Sequence, residues 1–289
     1  LSAYVAFSTA RMLFGEGVQL IIDNAEAAAI VGISFAVLFT SVWDGVGSWI
    51  GSLAMVVLGN RVERDSRHEL YVSLLGKSQT FHDQQRVGDI MARATDDVRQ
   101  LNSVIYPGIL FIFDMILGFL VPILFIASVN LELLLVPIGF VLSYIVVVRR
   151  YIARLEPVVM KQRQQYGVMN ARLEETISGI EIVKVAAQEM EERKKFRRNA
   201  SKFREYFVQQ GRIEAAYLPL LMYGIAFGLM FLHTLNMYDR GILTIADIIA
   251  VTGLMSVLRF PVFISLFSIS LLQLGIAGAR RILELMDQV

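Results

Sequence analysis

The sequence contains no cysteine and only three histidines among its 289 residues. Without cysteine the chain forms neither disulfides nor thiolate metal sites, and the redox compartment cannot be inferred. The sequence has no His-x-x-x-His pair and no carboxylate–histidine cluster that would predict a metal centre. With no cysteine and three histidines, a nucleophilic catalytic triad is not expected either. A phosphate-binding G-x-x-x-x-G-K-[ST] loop is also absent. We therefore expect no catalytic site, no metal and no cofactor in this chain, and no ATPase activity from it alone.

Proline is scarce as well, with six residues in total and none between Pro157 and Pro219. Nothing in that interval forbids a long helix. Apolar residues recur there at steps of three and four, which predicts one apolar stripe on an α-helix. Ser178-Gly179 is the one weak point, because glycine lowers helix propensity and permits a sharp turn. The stripe comprises Tyr166, Met169, Leu173, Ile177, Ile180, Val183, Ala187 and Met190.

Long apolar runs are abundant, and 55% of the side chains are apolar. Several runs exceed the roughly 20 residues needed to cross a bilayer core of about 30 Å. We therefore predict an all-α membrane protein with six long transmembrane helices. The first run carries charges and has no small-residue cleavage site, so it is predicted to be a retained span rather than a secretory signal. The predicted spans are 1–22, 28–58, 103–128, 131–148, 215–237 and 242–279.

Basic residues are distributed very unevenly. Of 27 Lys and Arg, 22 lie in two long connections, residues 59–102 and 149–214, called here the first and second polar segments. The positive-inside rule places both segments, and with them both termini, in the cytosol. The expected location is an integral, multi-pass position in the cell membrane, plasma or inner, with the helices extending into the cytosol.

The first polar segment has apolar stripes on its two arms, which predict helices packed against each other. At its far end the run 78–85 carries an aromatic residue, Phe81. Burial is least available there, so we expect Phe81 to be exposed and to mark a partner surface. The stripe residues themselves are sufficiently explained as the core of a helical bundle. They are Leu58, Val62, Leu70 and Leu74 on one arm and Ile90, Ala94, Val98 and Leu101 on the other.

Ionisable residues also occur inside the predicted spans, and buried charges in hydrocarbon cost several kcal/mol. Two interpretations remain open. The residues pair with one another and hold the helices in register, or they line a polar translocation cavity. Pro261 predicts a kink beside Arg259, because proline removes a backbone hydrogen bond. The candidate cavity comprises Asp44, Asp114, Arg259 and Pro261, with Arg11 and Glu16 as further charges in the spans.

A run of mixed charge, residues 191–204, also has two interpretations. It is a solvated helix face with intrahelical Glu–Lys pairs, or a surface that attracts anionic lipid. We favour the solvated face because the run begins far from the predicted membrane.

Three stretches carry a resemblance to a known family. The stretch LEETISGIEIVKVAAQE begins at Leu173, and LGNRVERDSRHELYVSLLGKSQTFHDQQRVGDIMARATDDVRQL begins at Leu58. The third runs from Gly241 to Asp287 and ends AGARRILELMD. In this order they resemble the second intracellular loop, the first intracellular loop and the sixth span of ABC exporters of the six-helix, multidrug and lipid-flippase type. The resemblance covers nearly the whole chain.

The resemblance implies a dimer of transmembrane domains whose two loops each carry a short coupling helix seated in a nucleotide-binding domain. Phe81 and Ile180 correspond to apolar contacts with that domain, and Gly179 to the turn. His82 is expected to pack rather than to react. Asp83 and Ser178 complete the coupling residues.

The implied partners are a second transmembrane domain, nucleotide-binding domains, membrane lipid and an amphipathic or lipid-like substrate, with no nucleic acid. ATP and magnesium are expected on the nucleotide-binding domain, which the resemblance places after residue 289. The alternative is a motor-free membrane scaffold or receptor that docks a cytosolic partner on the same helices.

Overall fold

The computed structural model describes residues 2–23 and 25–288, except for the side chains of Ser2, Leu266 and Ile269. Within these residues helices alternate with short turns, and no strand is present. This confirms the predicted all-α fold. The α-helices are α1 (Ser2–Ile22), α2 (Ala27–Leu75), α3 (Gln79–Gln84), α4 (Val87–Ala92), α5 (Val98–Ser103), α6 (Leu110–Val129), α7 (Leu135–Ser178), α8 (Ile180–Val185), α9 (Glu189–Ala215), α10 (Leu218–Asp239), α11 (Ile245–Val257) and α12 (Arg259–Asp287).

Six helical runs of the described residues are long and apolar enough to cross a membrane. The number agrees with the prediction from the apolar runs. The last run begins at Ile245 and not at residue 242, because Thr244 caps it. The Thr244 hydroxyl accepts the Asp247 N–H at 3.2 Å, and the Asp247 carboxylate accepts the Thr244 N–H at 2.8 Å. The runs are Ala3–Ile22, Ala27–Leu75, Val87–Val129, Leu131–Ser178, Glu189–Asp239 and Ile245–Asp287.

The third helical run (Val87–Val129) is not uniformly α-helical. It contains one π-helical stretch, Arg93–Asp97, and a kink within Val104–Ile109, where Tyr106 has non-helical backbone angles of φ −130° and ψ 116°. Pro107 follows Tyr106, and its missing N–H prevents a regular α-helical bond at that point. The wider turn of the π-helical stretch changes which face of the helix the following residues occupy.

The sequence predicted that the apolar stripe between residues 166 and 190 lies on one α-helix, with a weak point at Gly179. The structure does not have one helix there. The stripe is divided among α7, α8 and α9, with one break at the expected Gly179 and a second at residues 186–188. At the second break the Gln188 N–H donates to the Val183 carbonyl at 3.0 Å and the Ala187 N–H to the Lys184 carbonyl at 3.2 Å. This pair of bonds ends α8 in a Schellman motif, with Ala187 at a φ of 51°.

The chain divides into two compact units. One comprises the described residues of Leu1–Ile138 and Ile225–Val289. Its core includes α11 and the beginning of α12, where Val251, Leu254, Met255, Leu258 and Val262 are fully buried. Helix α1 packs against α2 and α11, while α12 packs along the third helical run.

The second unit, Gly139–Gly224, contains the second polar segment. Here α7 and α9 lie side by side. The Tyr166 and Phe203 rings are 5.5 Å apart, and the Gln165 amide donates to the Asn199 carbonyl at 3.3 Å. Tyr151 of α7 also meets Tyr217, two residues after the end of α9, edge to face at 5.2 Å.

Candidate functional site

The far end of the first polar segment, residues 76–88 (the first tip), contains the short helix α3. The chain turns at Gly76 and Lys77, and Ser78 then caps α3 by accepting the Phe81 N–H at 3.2 Å. A serine at this position satisfies an N–H that the first helical turn leaves unpaired. The cap fixes the direction in which the Phe81 side chain leaves the helix.

Phe81 is buried, with only 5% of its surface exposed, so the expectation of an exposed ring is wrong. The ring packs into a cluster formed by both arms of the first polar segment and by the end of α12. That helix is remote in sequence, and its apolar side chains supply the burial that the segment alone lacks. The buried members are Leu70, Phe81, Val98, Ile282 and Leu285, and Leu74, Ala94, Leu101 and Met286 pack around them.

His82 and Asp83 lie on the exposed side of α3. The His82 ring stands edge-on to Phe81 at 5.4 Å, and its Nε2 lies 3.1 Å from the Leu74 carbonyl oxygen. Asp83 accepts a hydrogen bond from the Gln79 amide at 3.2 Å. All three contacts are local, so at the first tip the polar residues face outward and the aromatic ring faces inward.

Polar contacts also tie the first polar segment to α12. Arg281 donates two hydrogen bonds to Asp97, from Nε at 2.9 Å and from Nη2 at 2.6 Å. Asp97 is buried, and its hydrogen bond raises the pKa of the Arg281 guanidinium. Arg93 donates to the Arg281 carbonyl at 3.3 Å, and Lys77 Nζ to the Met286 carbonyl at 2.6 Å. The bidentate Arg281–Asp97 pair fixes the orientation of the two side chains as well as their distance.

Sequence reasoning did not single out Asp97 or Arg281 as partners. One signal was available for Asp97. It lies three residues after Ala94 and next to Val98, and therefore close to the apolar face of its helix, where a carboxylate requires a partner. Nothing in the local sequence identifies Arg281 as that partner, because 184 positions separate the two residues.

The end of the second polar segment, residues 178–188 (the second tip), has the opposite character. Helix α8 carries its apolar side chains outward: Ile180 is 44% exposed, Ile182 75% and Val185 90%. The turn before it is held by the Gly179 N–H, which donates to the Glu175 carbonyl at 3.0 Å. Gly179 has a φ of −96°, so the turn does not use the left-handed conformation that favours glycine. The residue that adopts it is Ala187.

Polar contacts lie at and beside the second tip. Lys184 of the tip forms an ion pair with Glu189 at 2.9 Å, and just outside the tip Thr176 donates to Glu192 at 3.2 Å. Hydrogen bonds from Lys195 and Thr176 lower the pKa of Glu192. Ser178 is the last residue of α7. An exposed apolar helix at the end of a charged segment is typical of a partner surface.

Within the spans, the structure brings some candidate cavity residues together and not others. A methyl group at Gly118 would contact Pro261 and lie 3.5 Å from the Tyr4 ring. The Tyr4 hydroxyl interacts electrostatically with the Asp114 carboxyl group, one turn before Gly118, and more weakly with Asp44. Pro261, Tyr4 and Asp114 therefore lie at one level of the first unit.

Arg259 is the first residue of α12 and is exposed; among the residues described, no ion pair includes it. The helix is interrupted three residues before Pro261, close to where the sequence predicted a kink. Helix α11 ends at Val257 and α12 begins at Arg259, on either side of the buried Leu258. The cavity formed by these residues stays a prediction.

A cleft of about 230 Å³ between α1 and α2 holds two of the charged residues of the spans, Arg11 and Asp44. The Arg11 guanidinium lies over the Phe7 ring, 4.8 Å from its centre. A larger cleft, of about 670 Å³, lies in the first polar segment between α2 and α4. No group of three potential ligands is placed to hold a metal ion among the described residues.

Comparison with known proteins adds a consistent result. Residues 4–262 match the sequence model of the family described as ABC transporter transmembrane region. One relative is an uncharacterized ABC transporter ATP-binding protein, YknU, of Bacillus subtilis (strain 168). The two sequences are 24% identical in an alignment that covers 91% of this chain and 45% of that protein. Another relative is an ATP-dependent lipid A-core flippase of Pseudomonas fluorescens (strain Pf0-1), with 27% identity in an alignment that covers 88% of this chain and 42% of that protein. The same description applies to a relative in Aromatoleum aromaticum, with 23% identity over 98% of this chain and 50% of that protein. The chain thus spans about half the length of the curated relatives it matches.

Proposed function

Because this chain belongs to the family of ABC transporter transmembrane regions, we propose that it forms the translocation pathway of an ATP-driven exporter and couples it to nucleotide-binding domains. The family and the six apolar runs make it an integral, multi-pass membrane permease domain. The coupling, the orientation and the substrate are the parts that we propose.

The observation that carries the coupling proposal is the exposed apolar face of α8 at the second tip. Helix α7 continues for about 30 residues beyond the predicted end of its span, roughly 45 Å at 1.5 Å per residue. A helix of that length reaches beyond the lipid headgroups into water, where exposed Ile182 and Val185 require a cover. We propose that this cover is a nucleotide-binding domain, that both polar segments and both termini are cytosolic, and that the protein resides in the cell membrane.

ATP and magnesium would bind to that domain, and this chain would respond to their binding and hydrolysis. Several of the similar proteins are described as ATP-dependent lipid A-core flippases. We propose by analogy that the substrate here is amphipathic or lipid-like. The polar groups at the level of Pro261, with Asp44 and Arg259, are the candidates for contact with its polar part.

We further propose that the functional unit is a dimer of transmembrane domains, as a homodimer or a heterodimer. Many large apolar side chains on α2 and α10 are exposed in the single chain, and the first polar segment carries an open cleft of about 670 Å³. A second transmembrane domain would cover part of this surface, and lipid would cover another part.

The test uses the chain assembled with its nucleotide-binding domains in lipid nanodiscs. Val185→Asp places a charge on the proposed docking face and should abolish capture of the nucleotide-binding domain and substrate-stimulated ATP hydrolysis. Val168→Asp, an exposed position in the middle of α7, is the matched control and should retain capture. If Val185→Asp leaves capture and stimulation unchanged, α8 is not the coupling helix. A partner without ATPase activity at α8 would instead support the scaffold or receptor alternative.

A further inference from the structure

Helix α12 and the third helical run lie antiparallel, with contacts between residues 261–281 of α12 and residues 97–118 of the third helical run. From one facing pair to the next, the residue number rises in α12 and falls in the third helical run by the same amount, to within one residue. The contacts therefore form one continuous interface. The facing pairs are Gly118 with Pro261, Phe111 with Phe267, Gly108 with Leu271, Val104 with Gly275, Gln100 with Gly278 and Asp97 with Arg281.

Two glycines of α12 allow this interface to be unusually close. A methyl group at Gly275 would overlap the Val104 side chain. A methyl group at Gly278 would lie 3.2 Å from the Gln100 amide oxygen and 3.3 Å from the Asp97 carbonyl oxygen. Backbones that approach this closely cannot rotate or slide past each other without a steric clash.

The end of the interface beside the first tip is held by charge and by burial together. Arg281 donates two hydrogen bonds to Asp97, and Ile282 and Leu285 pack on the buried ring of Phe81. Lys77 donates hydrogen bonds to the carbonyl oxygens of Met286 and Gln288. Any displacement of α3 therefore acts on α12 directly, in addition to acting through α2 and the third helical run.

The other end of the interface lies beside the polar groups of the spans. From Arg281 back to Pro261 is 20 residues, about 30 Å of helix. There Pro261 packs against Gly118 and close to Tyr4, whose hydroxyl faces Asp114. The two helices thus connect the first tip with the level of the chain where the candidate cavity residues lie.

We propose that α12 and the third helical run move as one rigid pair, in which Asp97, Arg281 and Gly275 are positioning residues that carry a displacement of the first tip to the polar groups around Asp114. This inference rests on the proposed function for its role in transport. The rigidity of the pair itself is a property of the chain and can be measured on the chain alone.

The first experiment measures rigidity. Because the chain has no cysteine, spin labels can be attached at Asp89→Cys and Leu283→Cys, both exposed positions. Electron–electron distances in nanodiscs should form one narrow distribution. Arg281→Met should broaden it, Arg281→Lys should broaden it less, and the charge exchange Asp97→Arg with Arg281→Asp should restore it. An unchanged distribution in Arg281→Met would overturn the rigid pair.

The second experiment measures transmission in the complex with nucleotide-binding domains. Arg281→Met and Gly275→Ala should leave basal ATP hydrolysis unchanged and reduce substrate stimulation about fivefold, near the lower end of measured couplings between sites. Gly228→Ala is the control, because a methyl group there meets nothing within 4 Å, and it should retain full stimulation. Full stimulation in an Arg281→Met protein whose distances have broadened would overturn the transmission role. Absence of stimulation in the unmodified complex would refute the proposed function. The distance distributions of the unmodified chain and of Arg281→Met would then show by themselves whether the two helices form a rigid pair.

Discussion

The two tips of the polar segments resemble the same kind of coupling loop, yet the chain treats them in opposite ways. At the first tip the aromatic residue is buried against α12, and Lys77 donates a hydrogen bond to that helix; the Asp97–Arg281 ion pair lies beside the tip. At the second tip the apolar residues face outward, and Lys184 forms a local ion pair with Glu189. Under the two proposals above, the first tip acts on its own chain, whereas the second tip offers its surface to another molecule.

The largest expected effect that separates the tips is on stability. Phe81→Ala removes a fully enclosed ring and leaves a cavity, so it should lower the free energy of unfolding by about 3 kcal/mol. Ile182→Ala, at a side chain that is 75% exposed, should change it by less than about 0.5 kcal/mol. Titration of the purified chain with a denaturing detergent measures both values. Equal losses in the two variants would break the comparison.

The Asp97–Arg281 ion pair beside the first tip gives the next effect. Asp97→Asn weakens two short hydrogen bonds from Arg281, whose side chain is 44% exposed, so solvent screening limits the loss to about 1–2 kcal/mol. A double-mutant cycle on Asp97 and Arg281 isolates the interaction. The exposed Arg99–Asp96 pair is the matched control and should show a coupling near zero. A coupling of the same size in both pairs would show that burial of Asp97 adds nothing.

The second tip can be strengthened at Ala187. Its φ of 51° lies in the left-handed region, which costs a residue with a Cβ roughly 1 kcal/mol relative to glycine. Ala187→Gly should therefore stabilise the end of α8 by about that amount, seen as slower hydrogen–deuterium exchange at residues 180–188. Ala186→Gly, at an ordinary right-handed position, should do the reverse. Faster exchange in Ala187→Gly would contradict the Schellman geometry.

The smallest expected effect depends on pH. A hydrogen bond from Asn102, with a further one from Arg67, lowers the pKa of Glu63 in the folded protein. A lowered pKa means that the carboxylate stabilises the fold at pH values above its ordinary value of 4.5, and that this contribution is lost as pH falls through the lowered value. Hydrogen exchange at residues 59–67 should accelerate over that acid range. Glu63→Gln should remove the pH dependence there while leaving the response around Glu192 intact; if the dependence persists in Glu63→Gln, another group causes it.

The sequence predicted the features that depend on neighbours along the chain. The apolar runs predicted six long helices, and Gly179 and Pro261 predicted the helix breaks near them. The error at Phe81 has a physical cause. Its burial was judged from the first polar segment alone, but the residues that cover it are Ile282 and Leu285, some 200 positions later.

The same limit applies to the ion pair and to the second break. Asp97 gave a local signal as a carboxylate near an apolar face, yet its partner follows from tertiary packing alone. Ala187 gave none, because alanine is a strong helix former and normally continues a helix. The hydrogen bonds of the Schellman motif stabilise its left-handed conformation against that preference.

The π-helical stretch Arg93–Asp97 makes the length of the third helical run as important as its composition. Each residue of an α-helix turns the chain by about 100°. Deleting one residue from this stretch, which contains no proline, would restore a regular helix there, but it would also turn every later side chain, including that of Asp114, by about that angle relative to the residues before the stretch. A single-residue deletion in this run should therefore do more harm than most substitutions, and a one-residue insertion in the same stretch should repair it.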